Sequence, residues 1–71
     1  METVYVLEEE YTGLIGVYSR VEYAIKAAKN FASNQFEKEE LDETPWGYEL
    51  DLGENSGLFE ITKISIDNFD V

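Results

Sequence analysis

Only one stretch of this chain carries the three-and-four spacing of an amphipathic helix. From Arg20 onward, Val21, Ala24, Ile25, Ala28, Phe31 and Ala32 fall on one apolar stripe, with Lys26, Lys29 and Asn30 elsewhere on the cylinder. Ser19 followed three residues later by Glu22 matches a capping box and predicts a helix beginning at Arg20, while Asn34 tolerates the left-handed conformation that ends many helices. The flanking segments read as strands, so the chain is confined to one helix laid on a sheet.

"TVYVLEEEYTGLIGVYS" reads as a β-hairpin joined near Glu9 to Gly13, where Gly13 supplies a positive φ for the turn. In its first strand Val4 and Val6 point one way, Tyr5 and Leu7 the other. After Pro45, "YELDL" alternates Tyr48, Leu50 and Leu52 against Glu49 and Asp51, as a half-buried strand does. "GENSG" supplies a turn, and "LFEITKISI" follows as a last strand. Its alternation changes phase near Ile61, which points to a bulge or to burial on both sides.

The expected fold is α+β: residues 1–71 form a single small domain, an antiparallel four-stranded sheet with one helix in the order ββαββ, and residues 66–71 form a frayed tail unless Phe69 folds back. The helix covers one sheet face and leaves the other open. Tyr5 and Leu7 compete for that open face and give the chain an incentive to form a homodimer.

With 71 residues, the chain buries only about 60% of its unfolded surface. Hydrophobic residues make up 44% and aromatics 14%, enough to build a core and argue against disorder. Cysteine is absent, so neither a disulfide nor a thiolate metal site supplements that core, and an intracellular, cytoplasmic setting fits best. The N-terminal "METVYVLEEEY" lacks the basic and apolar regions of a signal peptide, and no run approaches the roughly 20 apolar residues of a membrane span.

Catalytic options are few. Histidine and cysteine are both missing and no serine sits in a nucleophile elbow, so the expectation is a protein that is not an enzyme. "DLGENSG" lacks the ligand spacing of an EF-hand, "EKEELDE" collects hard cations only as any acidic run does, and no glycine-rich loop leads into a helix carrying Lys and Ser or Thr. No metal and no cofactor are expected.

What remains is the acidity. Sixteen acids against five bases give a net charge of −11, which repels nucleic acid and anionic membranes alike. The charge is also segregated: −4 over residues 1–19, +2 over 20–36, −7 over 37–54 and −2 over 55–71. A coat that only keeps a protein soluble needs no such segregation, whereas a surface meeting one basic partner does. On an extended strand, residues two apart lie roughly 6.6 Å apart on one face, close to the spacing of successive phosphates. Glu49 and Asp51 fit that geometry, as do Glu8 and Glu10, and Glu37, Glu39, Glu40, Asp42, Glu43 and Glu54 extend the negative track through a loop or short helical turn. Trp46 and Tyr48, embedded among these acids, have the composition of interface anchors; the competing reading has Trp46 closing the core beside Phe36 and Leu41.

The segment "VYVLEEEYTGLIGVYSRVEYAIKAAKNFA" resembles the opening of small phage and bacterial proteins in which a hairpin ending in Gly-Val-Tyr/Phe-Ser feeds an alanine-rich helix. Combined with its charge, the whole chain resembles the phage-encoded DNA mimics. That class includes uracil-DNA glycosylase inhibitors, some anti-CRISPR and anti-restriction proteins, and the acidic early inhibitor of the nucleoid protein HU made by large Bacillus phages. Size and acidity match the HU inhibitor best. The resemblance implies an inhibitor that occupies the basic DNA-binding surface of a host protein; the alternative is a dimeric assembly module whose charge serves solubility alone.

Overall fold

A computed structural model describes residues 2–33 and 35–66. The elements run β1 (Glu2–Glu9), β2 (Gly13–Tyr18), α1 (Val21–Phe31), β3 (Glu40–Thr44), β4 (Gly47–Asp51) and β5 (Leu58–Ile66). The five strands pair antiparallel in one sheet of order β2-β1-β5-β4-β3. The chain lays down a hairpin, crosses the sheet through α1 to the far edge, and meanders back until β5 pairs with β1 in the centre.

The expected four-stranded sheet is therefore corrected to five strands. The strand missed is "ELDET", read from sequence as loop or helical turn. Asp and Glu are depleted in strands, and Leu41 is its only large apolar residue, so no alternation announces it. It forms because the Pro45–Trp46 turn folds it back onto β4, with Thr44 opposite Gly47 and Glu40 opposite Asp51. As an edge strand beyond the helix, it needs no buried face.

The two faces of the sheet follow from the register, since residues directly opposite one another share a face. Toward the helix point Tyr5, Leu7 and Glu9 of β1, Phe59 and Ile61 of β5, and Tyr48 and Leu50 of β4. Leu7, Leu50, Leu52, Phe59 and Ile61 are fully buried there beneath Ala24 and Ala28, whose small side chains let the helix approach the sheet closely. Phe31 is half exposed at the end of the stripe but meets Phe59 edge-on, with ring centroids 5.9 Å apart. Phe36 closes the core past the helix end.

Tyr5 and Leu7 thus belong to the core, and the residues left on the open face are Val4 and Val6, the reverse of the expectation. The phase change in β5 has no bulge behind it, because its ladders to β1 and β4 are continuous. Phe59 and Ile61 face the helix, whereas Leu58, Ile64 and Ile66 face the open side and are exposed, so the strand is not buried on both sides. The bulge lies instead in the β1–β2 ladder, between Leu7 and Glu8.

The helix also begins one residue later than expected. Arg20 is the extended N-cap residue, its carbonyl accepting from Tyr23 N and Ala24 N at 3.2 and 3.3 Å, and no side chain caps the end. Ser19 therefore stands one position too early to close a capping box with Glu22. At the other end the left-handed residue is Ser33, at φ 58°; the stop expected at Asn34 lies outside the described residues. So do residues 67–71 of the expected tail, whereas Ile66 is the last residue of β5.

Gly47 is held by its surroundings as well as by its backbone. Its φ is +155°, and a Cβ there would collide with the Ile61 carbonyl of the adjoining strand. Gly13, at φ +85°, faces open space. Gly47→Ala should therefore destabilise by about 1–3 kcal/mol through overpacking, and Gly13→Ala by only about 1 kcal/mol through its conformation; urea denaturation of both variants checks the order.

Candidate functional site

The open face divides into two halves. At one end, Glu8 of β1 stands opposite Glu60 of β5, Glu60 opposite Glu49 of β4, and Glu49 opposite Asp42 of β3. Four carboxylates thus form one row across four adjacent strands. Neighbouring strands are about 4.8 Å apart, so the row spans roughly 14 Å. Among the described residues, no lysine or arginine pairs with any of the four. Like charges directly opposite one another destabilise a sheet, so the row is maintained against its own repulsion.

One step further along the strands lies a second row, Leu58, Asp51 and Glu40. Here the charge is partly neutralised: Lys38 Nζ reaches Asp51 Oδ2 at 3.2 Å and Glu40 Oε1 at 3.8 Å. The Gly53 N–H, donating to Asp51 Oδ1 at 2.9 Å, and then Lys38 hold the Asp51 carboxyl below its ordinary value, while Asp51 and Glu40 push Lys38 up. A shallow groove of about 420 Å³ runs beside the first row, lined by Glu8, Glu10, Glu49, Leu58 and Glu60.

The other half of the open face is mostly apolar, with Glu2 at its end opposite Ile66. Val4, Val6 and Val17 line up beside Thr62, Ile64 and Ile66, and Val17, Ile64 and Ile66 keep 56%, 42% and 43% of their surface exposed. Among the described residues, nothing covers them.

Of the twelve residues singled out from the sequence, the structure gathers Glu8, Asp42 and Glu49 in the first row and Glu40 and Asp51 in the second. Glu49 and Asp51 do share a face of β4, as expected. Glu10 lies in the turn after β1, so it extends the acidic end without continuing the strand. The others are dispersed. Glu39 is turned toward the helix by Lys29 at 2.7 Å. Glu37 folds against Gly53 and accepts from Asn55 N at 3.4 Å. Glu54 is exposed in the β4–β5 turn. Glu43 stands opposite Tyr48 on the helix side of the sheet, where Tyr48 packs on the core instead of acting as an anchor.

Trp46 does not close the core. It sits at the tip of the β3–β4 turn, 49% exposed, because the two-residue turn carries it past the end of the sheet. Its carbonyl accepts from Lys63 N at 2.7 Å and pins the tip over β5.

Two acidic residues escaped the sequence reading. Glu60 completes the row, and its parity with Leu58 and Thr62 in "LFEITKISI" was the available signal. Glu9 is buried on the helix side, where its Oε1 accepts from Thr12 N at 2.8 Å and Tyr11 N at 3.2 Å. The Thr12 hydroxyl and then these amides hold its carboxyl below the ordinary value despite burial.

Among the described residues, no cluster of three or more acidic side chains has the geometry to hold a metal ion, and no helix is long and apolar enough to cross a membrane. No protein-family model matches the chain, and no curated protein or solved structure matches it either.

Because the Glu9 pKa is depressed in the fold, its stabilisation is present above the unfolded value, near 4.5, and is lost as pH falls through the folded one. Glu9→Gln should therefore melt below the wild-type protein at neutral pH, with the gap closing in acid below pH 4.5. Paired thermal melts over that range check it; a gap unchanged in strong acid contradicts the role given to the charge.

Proposed function

We propose that this protein is a non-enzymatic DNA mimic of the phage type, which lays its open sheet face on the basic DNA-binding surface of a bacterial nucleoid-associated protein, HU first among them, and excludes DNA by competition. The reading rests on one observation: Glu8, Glu60, Glu49 and Asp42 stand in an unpaired row across four strands. A groove of lysines and arginines built to neutralise phosphates meets a comparable line of negative charge here and relieves the repulsion within it. Asp51 and Glu40 offer a second row one step along the strands. The adjacent apolar half and Trp46 supply dry contact beside the charged one.

Other proteins with phosphate-binding grooves, among them uracil-DNA glycosylase and CRISPR or restriction nucleases, present the same kind of surface and are the alternative targets. In each case the chain acts by charge and shape, in the cytoplasm of a bacterial host cell.

The test is equilibrium binding to purified HU over graded salt, with duplex DNA as competitor. Affinity should fall steeply as salt rises, and DNA should displace the protein. Glu49→Gln and Glu60→Gln should each weaken binding while raising the stability of the free protein by about 0.2–1 kcal/mol, because each removes a like-charge opposition. Salt-insensitive binding, or HU that holds DNA and this protein together, overturns the mimic; absence of binding to HU alone moves the test to the other targets.

A further inference from the structure

β2 is the one described element without a charged side chain, in a chain of sixteen acids and five bases. It is also an edge of the sheet, so among the described residues its outer backbone groups have no strand partner. The opposite edge, β3, carries Glu40, Asp42 and Glu43 and runs into Pro45, the kind of composition that keeps an edge from pairing. β2 has no such protection: Leu14 and Val17 stand 62% and 56% exposed on the open face.

We infer that β2 is a self-association edge, on which a second copy of this chain pairs its own β2 antiparallel about a two-fold axis perpendicular to the sheet. The bulge opposite Leu7 and Glu8 is what makes this register available. In an unbroken strand Leu14 and Val17, three apart, would face opposite sides. The extra residue, Ile15, turns onto the core, so Leu14 and Val17 share the open face with Ile15 and Gly16 between them. The burial pattern of β2 consequently reads the same in both directions. An axis between Ile15 and Gly16 sets Leu14 opposite Val17 of the partner subunit and Gly13 opposite Tyr18 of the partner subunit, every pair matched in face.

Charge selects this arrangement over the other ways two copies can meet. Each copy carries −11, so a dimer must keep carboxylates apart. Pairing β3 with β3 brings Glu40 and Asp42 of both copies onto adjacent strands. Stacking the open faces lays unpaired acids about 10 Å from the other sheet, where Lys38 is already held by Asp51 and Glu40. Across a β2–β2 seam the two Glu8 side chains are three strand spacings apart, about 14 Å, beyond the roughly 8 Å screening length at physiological salt. The seam joins the apolar halves into one continuous surface, and both acidic rows look the same way.

Because the chain has no cysteine and both positions are exposed, Leu14→Cys and Val17→Cys give clean cross-linking probes. Under mild oxidation, the mixture of the two variants should form covalent dimer at least about tenfold faster than either alone, since only a 14–17 pair lies within disulfide reach. The wild-type chain should sediment as a concentration-dependent dimer, and Val17→Lys should raise its dissociation constant about tenfold or more with an unchanged circular dichroism spectrum. A wild-type monomer at every attainable concentration, Leu14→Cys linking alone as fast as the mixture, or a dimer indifferent to Val17→Lys would each overturn the proposal.

Discussion

The repulsion among four carboxylates set directly opposite one another on a single sheet face is the constraint around which the rest of this small protein is organised. Lys38, beside the row on Asp51 and Glu40, offsets it only in part, so the fold must be held from the other side. There, five large apolar side chains are fully buried under a helix whose own buried residues are alanines. Burying each such side chain contributes about 1.5–3 kcal/mol, against opposed charges worth a few tenths to one kcal/mol per pair. The apolar layer therefore carries the acidic row without strain on the fold.

The chain's few bases show the same division. Lys29 and Lys38 tie down Glu39, Asp51 and Glu40 around the loop that leads from the helix to β3, and Lys29 also lies over the Phe36 ring, 5.7 Å from its centroid. They fix the segment that closes the core where the helix ends. Lys38 also feels the Asp42 charge, but among the described residues no base forms an ion pair with the first acidic row. The first row is thus set apart from the acids that Lys29 and Lys38 hold, although Asp51 and Glu40 share its sheet face.

Much of the scaffold was legible because it is local. The hairpin, the helical stripe and the last two strands each carry their own periodicity, and the structure has them. β3 carries none, since a mostly acidic edge strand outside the helix footprint needs no apolar face, and only its pairing with β4 reveals it. The facing of β1 was equally unreadable: Val4 and Val6 against Tyr5 and Leu7 are two apolar sets, and contact with α1 alone decides between them. Sequence proximity also misled about the acids. Glu37, Glu39 and Glu43 lie in the densest acidic run yet turn to other uses, whereas the row joins Glu8 to Asp42 through Glu60 and Glu49, an arrangement that exists only once the long-range register is set. For Trp46 the sequence left core and interface open, and its place in a two-residue turn keeps it out of the core.

The most direct measurement is a backbone amide NMR titration of the labelled protein with unlabelled HU. The account predicts shifts concentrated at Glu8, Asp42, Glu49 and Glu60 and their strand neighbours, reversed by added duplex DNA, with the helix residues Glu22 to Lys29 unmoved. Shifts centred on the helix, with the four-strand row silent, would contradict it.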